Sequence, residues 1–209
     1  MHRHHQRMFI EGPAGRLESL YQRGQGGDMP AVVVCHPHPL FGGTMRNKVV
    51  YWIARVFEEL GCPVVRFNFR GVEQSEGVWD EGQGEAEDAA AVFDWMEEQH
   101  PDAPLWLAGF SFGNYAGLQA ARHDERIVSL FAIAPAVNIW PFDFMEGETR
   151  PLTVVQGTED EIVPFHAVEE WVKHLPHASF HAINGAGHFF PDHMHQLQDA
   201  LRLEVEQLL

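Results

Sequence analysis

The chain has 209 residues, of which 45% are hydrophobic and 21% charged, and its 14 Lys and Arg against 30 Asp and Glu leave a formal net charge of −16. That length supports one substantial core, so a single domain over residues 1–209 is expected. The acidic field argues against nucleic acid and anionic membrane surfaces as partners.

Taken in chain order, the first five residues, with His2, His4 and His5, read as a flexible tail. The start MHRHHQRMFIEG lacks the apolar core and cleavage site of a signal peptide, and no run approaches the roughly 20 apolar residues of a membrane span. Residues 7–24 then show two short extended runs around Gly12, Pro13 and Gly15, the pattern of a hairpin at a sheet edge. The apolar run AVVVCH (31–36) is the first interior strand, followed by a helix from near Thr44 or Met45 with Met45, Val49, Ile53, Val56 and Leu60 on one face. A second strand is PVVRFNF (63–69), and a second helix carries Ala86, Ala89, Ala90, Phe93 and Met96.

Four further strands follow: LWLAGF (105–110), VSLFAIA (128–134), LTVVQG (152–157) and SFHAING (179–185). From about Pro191 a closing helix turns Leu197, Leu201 and Val205 inward. Continuous apolar strands alternating with helices predict an α/β fold with a mostly parallel sheet covered on both faces. The interval 133–151 is too short for a cap domain; its aromatic residues Trp140, Phe142 and Phe144 either line a cleft or pack on the core. Cys35 and Cys62 sit in apolar surroundings with no metal or redox spacing, which fits free thiols in a cytoplasmic protein.

Ser111 stands in LAGFSFGNYAGLQAA, where a strand ends and a small-residue helix begins near Phe112. Gly109 and Gly113 flank it two positions away, as a sharp strand-to-helix turn carrying a nucleophile requires. A serine hydroxyl needs a base to take its proton and a third group to orient that base. Asp160 and His188, each just past a later strand, supply both in the order Ser, Asp, His; alternatively Asp160 caps the helix of PFHAVEEWV and Glu159 or Glu161 acts instead. His188 alone among the 14 histidines combines a post-strand position with a glycine-rich approach.

Acyl transfer also needs two N–H donors at the developing oxyanion, one from the residue after the serine and one from the loop after an earlier strand. Phe112 N–H is the first. In HPHPLFGG, Pro37 and Pro39 have no N–H to give, so His38 N–H is the second, with Leu40 as runner-up. His36 reads as structural, orienting loop backbone; His36 and His38 lack the further ligands of a metal site, and no cofactor is expected. Arg70 and Asn68 in RFNFRGVEQSEG either line the cleft or hold their loop.

The segments HPHPLFGGTMRNKVV (36–50), VVRFNFRGVEQSEG (64–77), LAGFSFG (107–113), GTEDEIV (157–163) and HFF (188–190) run in order over nearly the whole chain. In these the sequence resembles the α/β-hydrolases, more narrowly the small lid-free bacterial serine hydrolases near the dienelactone hydrolase and esterase branch. The resemblance implies a cap-free sheet, Ser111 as nucleophile, Asp160 and His188 completing a triad, and esterase chemistry on a small-molecule ester. The dienelactone hydrolases themselves use a cysteine nucleophile, against which Ser111 argues. Short uncharged esters are the expected substrates. Alternatives are amide, peptide or thioester cleavage on the same triad, a metal-dependent hydrolase, or a non-catalytic binding module on a hydrolase scaffold, against which the intact set Ser111, Asp160 and His188 argues.

Overall fold

The computed structural model describes residues 4–209. Eight strands form one sheet: β1 (Gln6–Gly12), β2 (Gly15–Gln22), β3 (Ala31–Cys35), β4 (Val64–Phe67), β5 (Leu105–Phe110), β6 (Ile127–Ile133), β7 (Leu152–Gly157) and β8 (Ala178–Ile183). Their order is β1-β2-β4-β3-β5-β6-β7-β8. The two N-terminal strands pair antiparallel, closed by Gly12 opposite Gly15, and β2 joins β4 antiparallel; all other pairs are parallel. This is the α/β-hydrolase fold with its antiparallel edge hairpin.

Five helices cover the sheet: α1 (Lys48–Glu59), α2 (Gln83–Gln99), α3 (Phe112–Ala121), α4 (Phe165–Val172) and α5 (Met194–Leu208). Alternation along each strand divides the core in two. Val32, Val34, Val64, Trp106 and Phe131 face α1 and α5, meeting Ile53, Phe57, Leu197 and Leu201. Val33, Val65, Phe67, Leu105 and Leu107 face the other layer, meeting Val92, Phe93 and Met96 of α2, Ala116 of α3 and Val168 of α4. The central strands β3, β4 and β5 are buried along their whole length, because helices cover both faces. No helix among the described residues is long and apolar enough to cross a membrane.

Two helix starts lie later than the periodicity indicated. Helix α1 begins at Lys48, because Asn47 Oδ1 caps it by accepting the N–H groups of Val49 (2.9 Å) and Val50 (3.3 Å). Met45, expected on that helix, instead lies in the loop before it, donating its N–H to Asn68 Oδ1 at 2.8 Å. The closing helix starts at Met194 rather than Pro191. In α2, Ala86 and Ala90 are only half-buried, while Glu85 and Asp88 are buried. The flexible tail read over residues 1–5 falls partly outside the described residues, where His2 lies; within them, His5 Nε2 bonds Glu58 Oε1 at 2.7 Å.

Candidate active site

Parallel strands deliver their following loops to one edge of the sheet, and the loops after β3, β5, β7 and β8 meet there. Ser111 occupies the one-residue turn between β5 and α3, with φ 54° and ψ −119°, a positive φ that side-chain-bearing residues rarely adopt. Hydrogen bonds hold it. Ser111 N donates to Ile133 O (3.0 Å), and Asn114 Nδ2 donates to Ser111 O (3.2 Å) and Ile133 O (2.8 Å). The flanking glycines are sterically required. A Cβ on Gly113 would overlap the backbone carbonyl of Cys35, and one on Gly109 would lie 2.6 Å from Asn114 Oδ1.

The side chain of Ser111 reaches His188, whose Nε2 lies 3.1 Å from Ser111 Oγ, and His188 Nδ1 lies 2.8 Å from Asp160 Oδ2. With Nδ1–H donating to the carboxylate, Nε2 is left as the acceptor for the serine hydroxyl. Asp160 is held from both sides. Its Oδ1 accepts the N–H groups of Ile162 (2.9 Å) and Val163 (2.7 Å), and its Oδ2 also accepts Gln156 Nε2 at 3.1 Å. Neighbouring Glu159 is exposed, and Glu161 accepts the backbone N–H of His188 (3.1 Å), so Asp160 is the acid of this loop that reaches the ring. Asp160 is not the cap of α4, whose first turn starts after Pro164.

The loop after β3 closes one side. His36 is fully buried and joins two segments: its Nδ1 lies 2.6 Å from Pro37 O, and its Nε2 accepts Phe69 N–H at 3.0 Å. Burial lowers its pKa to about 4, so the ring is neutral with Nδ1 protonated. The N–H groups of Phe112 and His38 have no acceptor among the described residues, and both residues line the same cavity as Ser111 and His188. Leu40 N–H, the runner-up donor, is already given to His38 Nδ1 at 3.1 Å.

The cavity above Ser111 measures about 480 Å³ and its walls are chiefly apolar. Trp140 lines it as one of the expected aromatic residues. Phe142 does not: it is buried beneath, against Tyr115, Phe144 and Trp171. Nor does Arg70, whose guanidinium makes a buried pair with Asp88 (Nη2 to Oδ1, 2.8 Å) and whose backbone N–H also donates to Asp88. Asn68 likewise holds its loop, bridging Met45 N–H, Glu18 and Glu73. The walls that sequence reading missed are Phe41, Ile139, Ile162 and Phe189, large apolar side chains left exposed at the mouth. Their signal was there in part: Phe41 and Phe189 each adjoin a residue already singled out.

No group of three or more metal-ligating side chains is gathered among the described residues.

Comparison with known proteins places these residues in a wider set. Residues 30–146 match the family model described as alpha/beta hydrolase fold. The chain is 38% identical over 193 residues to an uncharacterised protein of Rickettsia prowazekii, covering 88% of this chain and 81% of that one. A crystal structure of a lid-less α/β serine hydrolase from Xanthomonas campestris superposes with a TM-score of 0.91 at 37% identity, covering 100% of this chain and 97% of the other. An α/β serine hydrolase homologue from Coxiella burnetii gives a TM-score of 0.90 at 40% identity, with 95% and 96% covered. More distantly, the chain is 29% identical over 190 residues to the rat lysophosphatidylserine lipase ABHD12, spanning 47% of that protein's length.

Proposed function

The chain belongs to the α/β-hydrolase family, among the small lid-free serine hydrolases, and we propose that it hydrolyses uncharged carboxylic esters through an acyl-enzyme on Ser111. The observation that carries this reading is the continuous contact from Ser111 Oγ through the His188 ring to Asp160 Oδ2, at 3.1 and 2.8 Å. His188 Nε2 takes the hydroxyl proton as Ser111 Oγ attacks the ester carbonyl, and the Asp160 carboxylate stabilises the imidazolium that forms. Phe112 N–H and His38 N–H stabilise the tetrahedral oxyanion, supported by the N-terminal end of α3. Collapse passes the proton from His188 to the departing alcohol, and a water activated by the same ring then releases the acid.

Neutral substrates are favoured because, among the described residues, no Lys, Arg, Asp or Glu lines the cavity, and a net charge of −16 repels anions. Amide or thioester cleavage would use the same groups. A cytoplasmic location fits the two free, buried cysteines. Turnover of p-nitrophenyl butyrate by the native chain and by Ser111→Ala tests the reading. Loss of kcat by about 10⁴-fold or more in the variant is expected, and equal rates would refute it.

A further inference from the structure

Beyond Ser111 and His188, three described side chains lining the cavity carry groups still to be paired, His38, Asn47 and Trp140. The indole N–H of Trp140 is buried and has no acceptor among the described residues, whereas His38 and Asn47 are partly exposed. His38 and Asn47 are fixed in the same manner, each spending its acceptor on local backbone. His38 Nδ1 takes the N–H of Leu40 at 3.1 Å, and Asn47 Oδ1 takes those of Val49 at 2.9 Å and Val50 at 3.3 Å.

What remains on each side chain is a donor. A neutral imidazole accepting at Nδ1 carries its proton on Nε2, and an asparagine whose oxygen caps a helix keeps its Nδ2 hydrogens. The rings of Phe41, Trp79 and Phe112, with centroids 4.6 to 5.1 Å from that of His38, desolvate the imidazole and favour its neutral form over the opposing pull of Glu81. Neither His38 Nε2 nor Asn47 Nδ2 has a partner among the described residues. Among the described residues the cavity is thus lined by donor-bearing side chains and apolar walls, with no Lys, Arg, Asp or Glu.

We propose that His38 Nε2–H and Asn47 Nδ2–H form a polar subsite that selects uncharged esters bearing a second acceptor oxygen, such as an ether or ketone, near the scissile carbonyl. The proposal rests on the ester-hydrolase reading above and refines its substrate class. A purely alkyl ester filling the cavity would strip water from both donors without replacing it, whereas an ester with an oxygen at that depth pairs them.

The test compares kcat/KM for two isosteric pairs of p-nitrophenyl esters, ethoxyacetate against pentanoate and 4-methoxybutanoate against hexanoate, each divided by its hydroxide-catalysed rate. The native chain is expected to prefer at least one ether ester by about tenfold. Asn47→Asp keeps the helix cap and removes the donor, and His38→Phe keeps a ring among the aromatic residues. The preference should fall to about twofold or less in both, and His38→Asn, which restores an acceptor and a donor, should recover part of it. A native preference below about twofold for both pairs, or a preference that neither variant changes, overturns the subsite. Fluorophosphonate labelling of the same samples separates the two levels. Labelling with indiscriminate turnover overturns the subsite alone; no labelling and no turnover overturns the hydrolase reading and the subsite with it.

Discussion

At the scale of single residues, the site depends on groups whose freedom has been removed. Ser111 is kept at positive φ by the Asn114 amide and the Ile133 carbonyl, and Asp160 is kept from rotating by two backbone N–H groups and Gln156. On the proposed mechanism Asp160→Asn turns a carboxylate that accepts from His188 into an amide that can donate to it, favouring the wrong tautomer. A fall in kcat of about 10⁴-fold with little change in KM is expected from steady-state kinetics at neutral pH. His36 makes a different, stability-level prediction. Its pKa is about 4 when folded against 6.5 ordinarily, so between these values the unfolded chain binds more protons and stability rises with pH. The contribution is fully present above pH 6.5 and is lost as pH falls through about 4. The loss amounts to about 3 kcal/mol, at about 1.4 kcal/mol per pH unit. Urea denaturation across that range should show a steeper acid loss in the native chain than in His36→Gln.

At the scale of elements, the strands were legible to within a residue or two, because runs such as AVVVC and LWLAGF are buried on both faces and leave no choice of period. The strand-to-helix turn at Ser111 was equally legible, since Gly109, Ser111 and Gly113 fall within five residues and their steric need is local. What could not be read depends on distant partners. Burial of Asp88 inside α2 makes sense only once Arg70, 18 residues earlier, lies against it. The loop 133–151 has no period, so nothing in the sequence separates Trp140, which lines the cavity, from Phe142, which lies beneath it. The Arg70–Asp88 pair ties the loop after β4 to α2, and desolvation already pushes the Asp88 carboxyl above its ordinary range. Arg70→Met would leave that carboxylate buried without its counter-charge, with the backbone N–H of residue 70 still donating to it. A loss of about 3 kcal/mol or more is expected by chemical denaturation; a loss under about 1 kcal/mol would show the pair to be dispensable.

At the scale of the whole molecule, one sheet brings residues as far apart as His38, Ser111, Asp160 and His188 to a single edge, and the loop after β6 adds Ile139 and Trp140 as walls. The two thiols stand apart from this chemistry. Cys35 and Cys62 are buried, and desolvation raises both pKa values, that of Cys62 to about 12, so neither offers a thiolate to an electrophile near neutral pH. A serine-directed reagent therefore reports on Ser111 without interference from them. The most direct measurement is intact-mass analysis after treatment with a fluorophosphonate probe, comparing the native chain with Ser111→Ala. One adduct per native chain is expected, mapped to the peptide containing Ser111, and none in the variant. An unlabelled native chain, or equal labelling of the two, would contradict the proposed mechanism.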